Sequence, residues 1–388
     1  MDYGFDKVVE RRGTDSLKFD GAVKRGMPAD VLPLWVADMD FPAPKSVLDA
    51  IHDRVSHGIF GYSEPSDDYF NALEHWFTHR LGYSFSPKWV TLTPGVVFAI
   101  AVAIRAFTKE NEAVLIQEPV YYPFRDTIIE NNRKHVVNEL QLKGDEYVMD
   151  FADFEQKIAE NSVKLFILCN PHNPVGRVWR RDELCEIMRI CEKYDVLIIS
   201  DEIHCDFIFP ENTHLVLPAL FPEKQDRIIL CTAPSKTFNL AGLQLANIFI
   251  SEPKLRRAFR DETSRSGFSQ ANSLGIVACR AAYESGADWL DALNKYLFAN
   301  MNFIDEFLKK NIPTIRLIPP QATYLAWLDF RKLNISPEEL ERILVKKANL
   351  WLSRGDIFGA AGRGFIRINV ACPRSTLDTC MNRILQHV

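Results

Sequence analysis

Arg227-Ile228-Ile229-Leu230-Cys231-Thr232-Ala233-Pro234-Ser235-Lys236-Thr237-Phe238-Asn239 is an apolar run that breaks at a proline and delivers a lysine. Short runs of this kind read as strands buried on both faces, the pattern of a parallel sheet. Two more end on polar residues. Val163-Lys164-Leu165-Phe166-Ile167-Leu168 leads into Cys169-Asn170-Pro171-His172-Asn173-Pro174-Val175-Gly176, and Val196-Leu197-Ile198-Ile199-Ser200 leads into Asp201-Glu202-Ile203-His204. In an open parallel α/β sheet, ligands bind beyond the carboxyl ends of the strands, so Asn173, Asp201 and Lys236 are expected to share one crevice. A lysine at the mouth of a buried strand is poorly placed for a solvated charge. It is well placed for an amine that loses its proton and bonds to an aldehyde.

Each of these residues alone would be an ordinary surface group; together they suit pyridoxal 5'-phosphate. Lys236 would form the Schiff base, Asp201 would pair with the pyridinium nitrogen, and Asn173 would donate to the ring hydroxyl. The protonated ring is then an electron sink for a carbanion at the substrate α-carbon. With the motifs at 170–176, 201–204 and 235–238 in this order, the chain resembles the fold-type I pyridoxal-phosphate enzymes, the aspartate aminotransferase superfamily. The likeness extends over nearly the whole chain. It implies an α/β fold: a large cofactor-binding domain with a mostly parallel seven-stranded sheet in three αβα layers, and a smaller α+β domain built from the N- and C-terminal segments.

The pattern along the chain agrees with that division. Residues 49–285 alternate short apolar runs with helical periodicity, the signature of α/β architecture. Residues 89–92, 113–117 and 247–250 are further strand candidates, and 182–193 is an amphipathic helix with Leu184, Ile187, Met188 and Cys191 on one face. From 286 to 388 the pattern turns to α+β, with helices expected over 289–311 and 337–347 and strands over 314–318, 324–328 and 365–370. Residues 1–48 are expected to join that smaller domain.

Composition narrows the function class. The 388 residues carry 46 basic and 51 acidic side chains, a net charge of -5, which leaves no electrostatic footprint for nucleic acid or an anionic membrane surface. The richest apolar stretch, 96–104, follows Pro94-Gly95 and is too short to span a bilayer. Eight cysteines stand without a C-x-x-C pair, so neither a zinc site nor a disulfide framework is expected, and no metal is assigned. Cys169, Cys205 and Cys231 near the strand ends read as small buried thiols. The N-terminus lacks the basic and apolar regions of a signal peptide, so a cytoplasmic enzyme is expected.

Further site candidates follow. Thr93-Pro94-Gly95-Val96-Val97 precedes a helical run; backbone N–H groups of Gly95, Val96 and Val97 at a helix N-terminus favour a phosphate. Neither G-x-G-x-x-G nor the P-loop pattern is present. In Glu118-Pro119-Val120-Tyr121-Tyr122-Pro123 an aromatic stands at another strand end, and the resemblance assigns Tyr121 to stack on the cofactor ring. Arg367 lies between Ile366 and Ile368 in an apolar strand. A buried arginine wants a carboxylate, from a structural ion pair or from a ligand; the resemblance implies the substrate α-carboxylate. Gln244 and Ala233 stand where many of these enzymes have an arginine and a serine near the phosphate. The phosphate grip would then rely on Ser235, backbone N–H groups and Tyr62 from a partner subunit. His204 replaces a tyrosine common near the ring hydroxyl, and either tunes the cofactor or is a satisfied polar residue.

Loss of the substrate α-proton to Lys236 can lead to transamination or to expulsion of a β-substituent. Arg11-Arg12-Gly13-Thr14-Asp15-Ser16-Leu17-Lys18-Phe19-Asp20, Leu34-Trp35-Val36-Ala37-Asp38-Met39-Asp40-Phe41 and Gly58-Ile59-Phe60-Gly61-Tyr62 resemble the cystathionine β-lyase branch, which more often has Trp at the position of Phe19. The branch implies elimination of a thiol from a sulfur amino acid, giving pyruvate and ammonia, in a homodimer with shared sites. Trp35 would line the substrate entrance, where a sulfur-bearing chain packs on its ring, or else be a domain-interface aromatic. A broad-specificity aminotransferase and a regulatory cofactor-binding protein are the alternatives.

Overall fold

The computed structural model describes residues 3–388. Seven strands build the main sheet: β1 (Val90–Thr93), β2 (Ala113–Glu118), β3 (Lys134–Glu139), β4 (Leu165–Cys169), β5 (Leu197–Asp201), β6 (Ile228–Thr232) and β7 (Ala246–Phe249). Their spatial order is β1-β7-β6-β5-β4-β2-β3. Only β7 runs antiparallel to its neighbours; the other four pairings are parallel. The mostly parallel seven-stranded sheet is therefore as expected.

Every residue of β2, β4, β6 and β7 is buried. In β4 the side chains alternate between two cores. Leu165 and Ile167 pack with the helix α1 (Val96–Phe107), whereas Phe166 and Leu168 pack with Leu184, Ile187 and Met188 of the helix Arg181–Lys193. That period of two, with apolar residues on both sides, makes the sheet the middle of three layers. The edge strand β3 escapes the apolar pattern because Lys134 and Glu139 are exposed at its ends. Charged ends on an edge strand discourage pairing with another chain.

A second sheet is antiparallel throughout: β8 (Arg316–Leu317), β9 (Leu325–Asp329), β10 (Ser353–Arg354) and β11 (Phe365–Asn369), in the order β8-β9-β11-β10. The strand expected at 314–318 shortens to two residues. The helix expected at 337–347 is α-helical over Pro337–Arg342 and then a π turn over Ile343–Lys347. The N-terminal segment runs beside this sheet: Leu32–Pro33 pairs in parallel with Leu350–Trp351 as a separate two-stranded sheet, and the Asn369 backbone N–H donates to the Leu34 carbonyl. Among the described residues no helix is long and apolar enough to cross a membrane.

Register places the site. Cys169 lies opposite Asp201, and Asp201 opposite Cys231, so β4, β5 and β6 end level. The loops that leave them carry Asn173, His204 and Lys236 over one edge of the sheet.

Candidate active site

A cavity of about 640 Å³ opens at that edge. It is lined by Trp35, Gly95, Val96, Val97, Tyr121, Asn173, Asp201, His204, Ser235, Lys236 and Arg367. Of the candidates read from the sequence, only Tyr62 lies elsewhere.

Lys236 sits in the single helical turn Pro234–Thr237, where a proline at the first position sets the backbone angle. Behind it, the Thr237 hydroxyl donates to Asp206 Oδ2 at 2.7 Å. In front, Lys236 Nζ donates to the Ala37 carbonyl at 2.7 Å. Burial and the Arg367 charge pull its pKa down to about 8, against the opposing pull of Asp38 and Asp201. Asp201 is buried, and that burial, with Glu202 acting the same way, lifts its carboxyl to about 7. One backbone N–H, from Ile203 at 3.1 Å, opposes the rise.

Arg367 is buried, and its partners are neutral: Nη1 donates to Asn173 Oδ1 at 2.9 Å, and Nη2 to the Trp35 carbonyl at 2.8 Å and Ser353 Oγ at 3.3 Å. Its guanidinium carbon stands 4.6 Å from the Phe358 ring centroid. Burial lowers its pKa to about 10. Among the described residues no carboxylate pairs with it, which removes the structural ion pair as its role. Because Asn173 spends its oxygen on Arg367, its amide N–H groups are left to donate elsewhere.

His204 is held neutral: burial, then the charges of Lys236 and Arg367, lower it to about 3. Its Nδ1 is buried with no protein partner among the described residues. Tyr121 is pushed up to about 12 by burial and packs edge-on to Phe124. Trp35 stacks on Trp351 with ring centroids 4.5 Å apart and planes 19° apart. Tyr62 is 95 % exposed, in a second cleft that meets the first at Pro94 and Gln244.

These residues fit pyridoxal phosphate. A buried acidic side chain facing the same cavity as the lysine suits a pyridinium nitrogen. A Cβ built on Gly95 meets nothing within 4 Å, so the backbone before α1 opens directly onto the space where the helix N-terminus would receive a phosphate. The cavity also uses Ala37, Trp351, Ser353 and Ile357, which the sequence reading did not assign. The motif around Ala37 was visible there, but nothing local shows that its carbonyl reaches a lysine 199 residues away.

A seven-stranded, mostly parallel sheet with lysine, aspartate and asparagine converging at its carboxyl edge is the architecture of the fold-type I pyridoxal-phosphate enzymes. The chain matches the model for aminotransferase class I and II over residues 29–384, and it belongs to that family. It is 40% identical to cystathionine beta-lyase PatB of Bacillus subtilis (strain 168), over 98% of each chain. It is 35% identical to the protein MalY of Escherichia coli (strain K12), over 97% of this chain and 96% of that one. The crystal structure of cystalysin from Treponema denticola, which contains a pyridoxal 5'-phosphate cofactor, superposes with a TM-score of 0.97 at 35% identity, covering 100% of this chain and 99% of that chain.

Proposed function

We propose that the protein is a pyridoxal-phosphate-dependent carbon–sulfur β-lyase, which eliminates a thiol from cystathionine or a related S-substituted cysteine. The cofactor, when bound, supplies the electron sink that makes the α-proton acidic. Lys236 would hold the cofactor's aldehyde carbon and takes the substrate α-proton at Nζ. Arg367 holds the α-carboxylate, while Asn173 would hold the ring hydroxyl and Asp201 the ring nitrogen. Tyr121 would cover the ring, and Gly95, Val96, Val97 and Ser235 would hold the phosphate. As the Cβ–S bond breaks, the sulfur leaves with the bonding pair and takes up a proton. The 2-aminoacrylate that remains is released and reacts with water to give pyruvate and ammonia.

The observation that favours elimination over transamination with a dicarboxylic oxo acid is the cavity lining. Its only Lys or Arg side chains among the described residues are those of Lys236 and Arg367. Both are committed, to the proton and to the α-carboxylate, so a distal carboxylate finds no cation. Trp35, Trp351 and Ile357 add apolar wall. The identity with a protein named cystathionine beta-lyase supports the same reading.

Supply of Tyr62 by a second copy, in a homodimer, is part of the proposal: the side chain is exposed next to Ile59 and Phe60, which are also exposed. The division at 48/49 and 285/286 into a large domain and a smaller one belongs to it too. The eight free cysteines support a cytoplasmic, reducing setting. Incubation with L-cystathionine, and separately with an amino acid plus 2-oxoglutarate, tests the function. Pyruvate without an oxo-acid acceptor is expected; glutamate would mean an aminotransferase, and neither product a binding role.

A further inference from the structure

We propose that the N-terminal strap, residues 35–41, belongs to the proton-transfer machinery: the Ala37 carbonyl seats the free Lys236 amine, and the Arg11–Asp38 pair sets how basic that amine is. The inference rests on Lys236 as the proton carrier and gives Arg11 and Asp38 positioning roles.

The strap is tied down at nearly every residue. Asn369 Nδ2 donates to the carbonyls of Val36 and Asp38, both at 2.8 Å. Asn239 Nδ2 donates to those of Met39 at 3.0 Å and Phe41 at 2.9 Å. The Tyr324 hydroxyl reaches the Ala37 carbonyl at 3.3 Å, beside Lys236 Nζ. An ion cluster lies on the strap. Arg11 spans both Asp38 oxygens at 3.2 and 2.9 Å, and also reaches Asp40 at 2.9 Å and the Met39 carbonyl at 3.0 Å. Lys18, wholly buried, donates to Asp40 at 2.8 Å and to the Asp38 carbonyl at 3.0 Å. Two cations thus match two carboxylates.

A neutral amine has two N–H bonds and one lone pair. A carbonyl can accept one N–H, fixing the side chain while leaving the lone pair for a substrate proton. A bare carboxylate in the same place would hold the lysine as an ammonium ion. Asp38, the residue after Ala37, pulls in that direction, and the Arg11 fork draws its charge away. The other groups facing Lys236 are Asp201 on β5, His204 beyond it, Arg367 on β11 and Tyr324. Of these, Tyr324 also faces Asp38, and none makes an ion pair with the strap's cluster.

The test reads the amine directly, without turnover. Cofactor-free full-length protein is mixed with pyridoxal 5'-phosphate across a pH series and quenched with borohydride, and the Lys236 peptide is quantified by mass spectrometry. Only the neutral amine reacts, so the midpoint follows its titration. Asp38→Asn removes an anion that favours the ammonium, and the midpoint should fall by about one unit, making capture below it about tenfold faster. Arg11→Met leaves Asp38 unmatched, and the midpoint should rise by a similar amount. The double variant should return towards the wild type. Asn239→Ala, which loosens the strap without changing charge, should slow capture and leave the midpoint in place.

Single variants whose midpoints stay put, or move in the same direction, overturn the inference. Where Arg11→Met does not fold, Arg11→Gln, which also removes the charge, replaces it; Asp38→Asn, an isosteric change, decides alone if neither does. Failure to trap Lys236 in the wild type would instead overturn the function itself.

Discussion

Replacing Arg367 with alanine separates substrate affinity from chemistry. The free protein holds this guanidinium among neutral acceptors, the Asn173 side chain, the Trp35 carbonyl and Ser353, with Nε unpartnered. A buried cation without an anion is a preformed receptor for a carboxylate. Two charge-assisted hydrogen bonds are worth about 1.5–3 kcal/mol each. The carboxylate must shed water to make them, so the lower end applies, about 3 kcal/mol in all. That corresponds to about two decades in kcat/KM. The contact is made in ground and transition states alike, so the loss should fall on KM, with kcat changed only several-fold. Pyruvate release from S-methyl-L-cysteine and L-cystathionine, followed over a wide concentration range, gives both constants. A second signature follows from the field. Arg367 helps to lower Lys236 to about 8, so its removal should shift the acid limb of the kcat profile to higher pH. In the wild type an α-carboxamide substrate should be about 100-fold worse than the carboxylate by the same reasoning, and in Arg367→Ala the two should converge. A large fall in kcat at unchanged KM, or retained discrimination between carboxylate and amide, would refute the reasoning.

Asp201→Asn should lower turnover by orders of magnitude while stabilising the cofactor-free protein. Burial lifts the folded carboxyl from 3.8 to about 7, so the wild type loses stability as pH rises through that window, by up to about 4 kcal/mol. The variant's advantage in thermal denaturation should vanish in acid; no advantage at alkaline pH would contradict the buried-charge argument. Mixing Lys236→Ala with Tyr62→Ala subunits, each poorly active alone, should restore activity in verified heterodimers, where one site has its own lysine and a borrowed tyrosine. Heterodimers as inactive as their parents would show that Tyr62 serves its own subunit. Gly359→Ala should cost about 1–3 kcal/mol, because Gly359 has φ +127° and a Cβ there collides with the Glu118 side chain. An unchanged denaturant midpoint would rule that out.

Much of the site was legible because local rules wrote it. The strands that carry Asn173, Asp201 and Lys236 are apolar runs with polar ends, and a parallel sheet aligns such ends. Arg367 announced itself as a charge inside an apolar strand, with Ile366 and Ile368 as neighbours. The edge strand β3 did not, because only two of its six residues are buried and its ends are charged. The reversed direction of β7 was equally hidden, since a four-residue apolar segment reads the same either way.

Taken alone, then, the sequence determined which residue types stand at the ends of buried strands, and with them the class of chemistry. Period, turn residues and burial tendency act over a few residues, and they survive in the linear order. The tertiary structure decided who meets whom. It put the Ala37 carbonyl on Lys236, gave Arg367 neutral partners in place of an ion pair, stacked Trp35 on Trp351, and left Tyr62 outside its own chain's cavity. Those contacts join segments up to 332 residues apart, as between Arg367 and Trp35. No local preference encodes such a distance; it follows from how the two sheets and the N-terminal segment pack together.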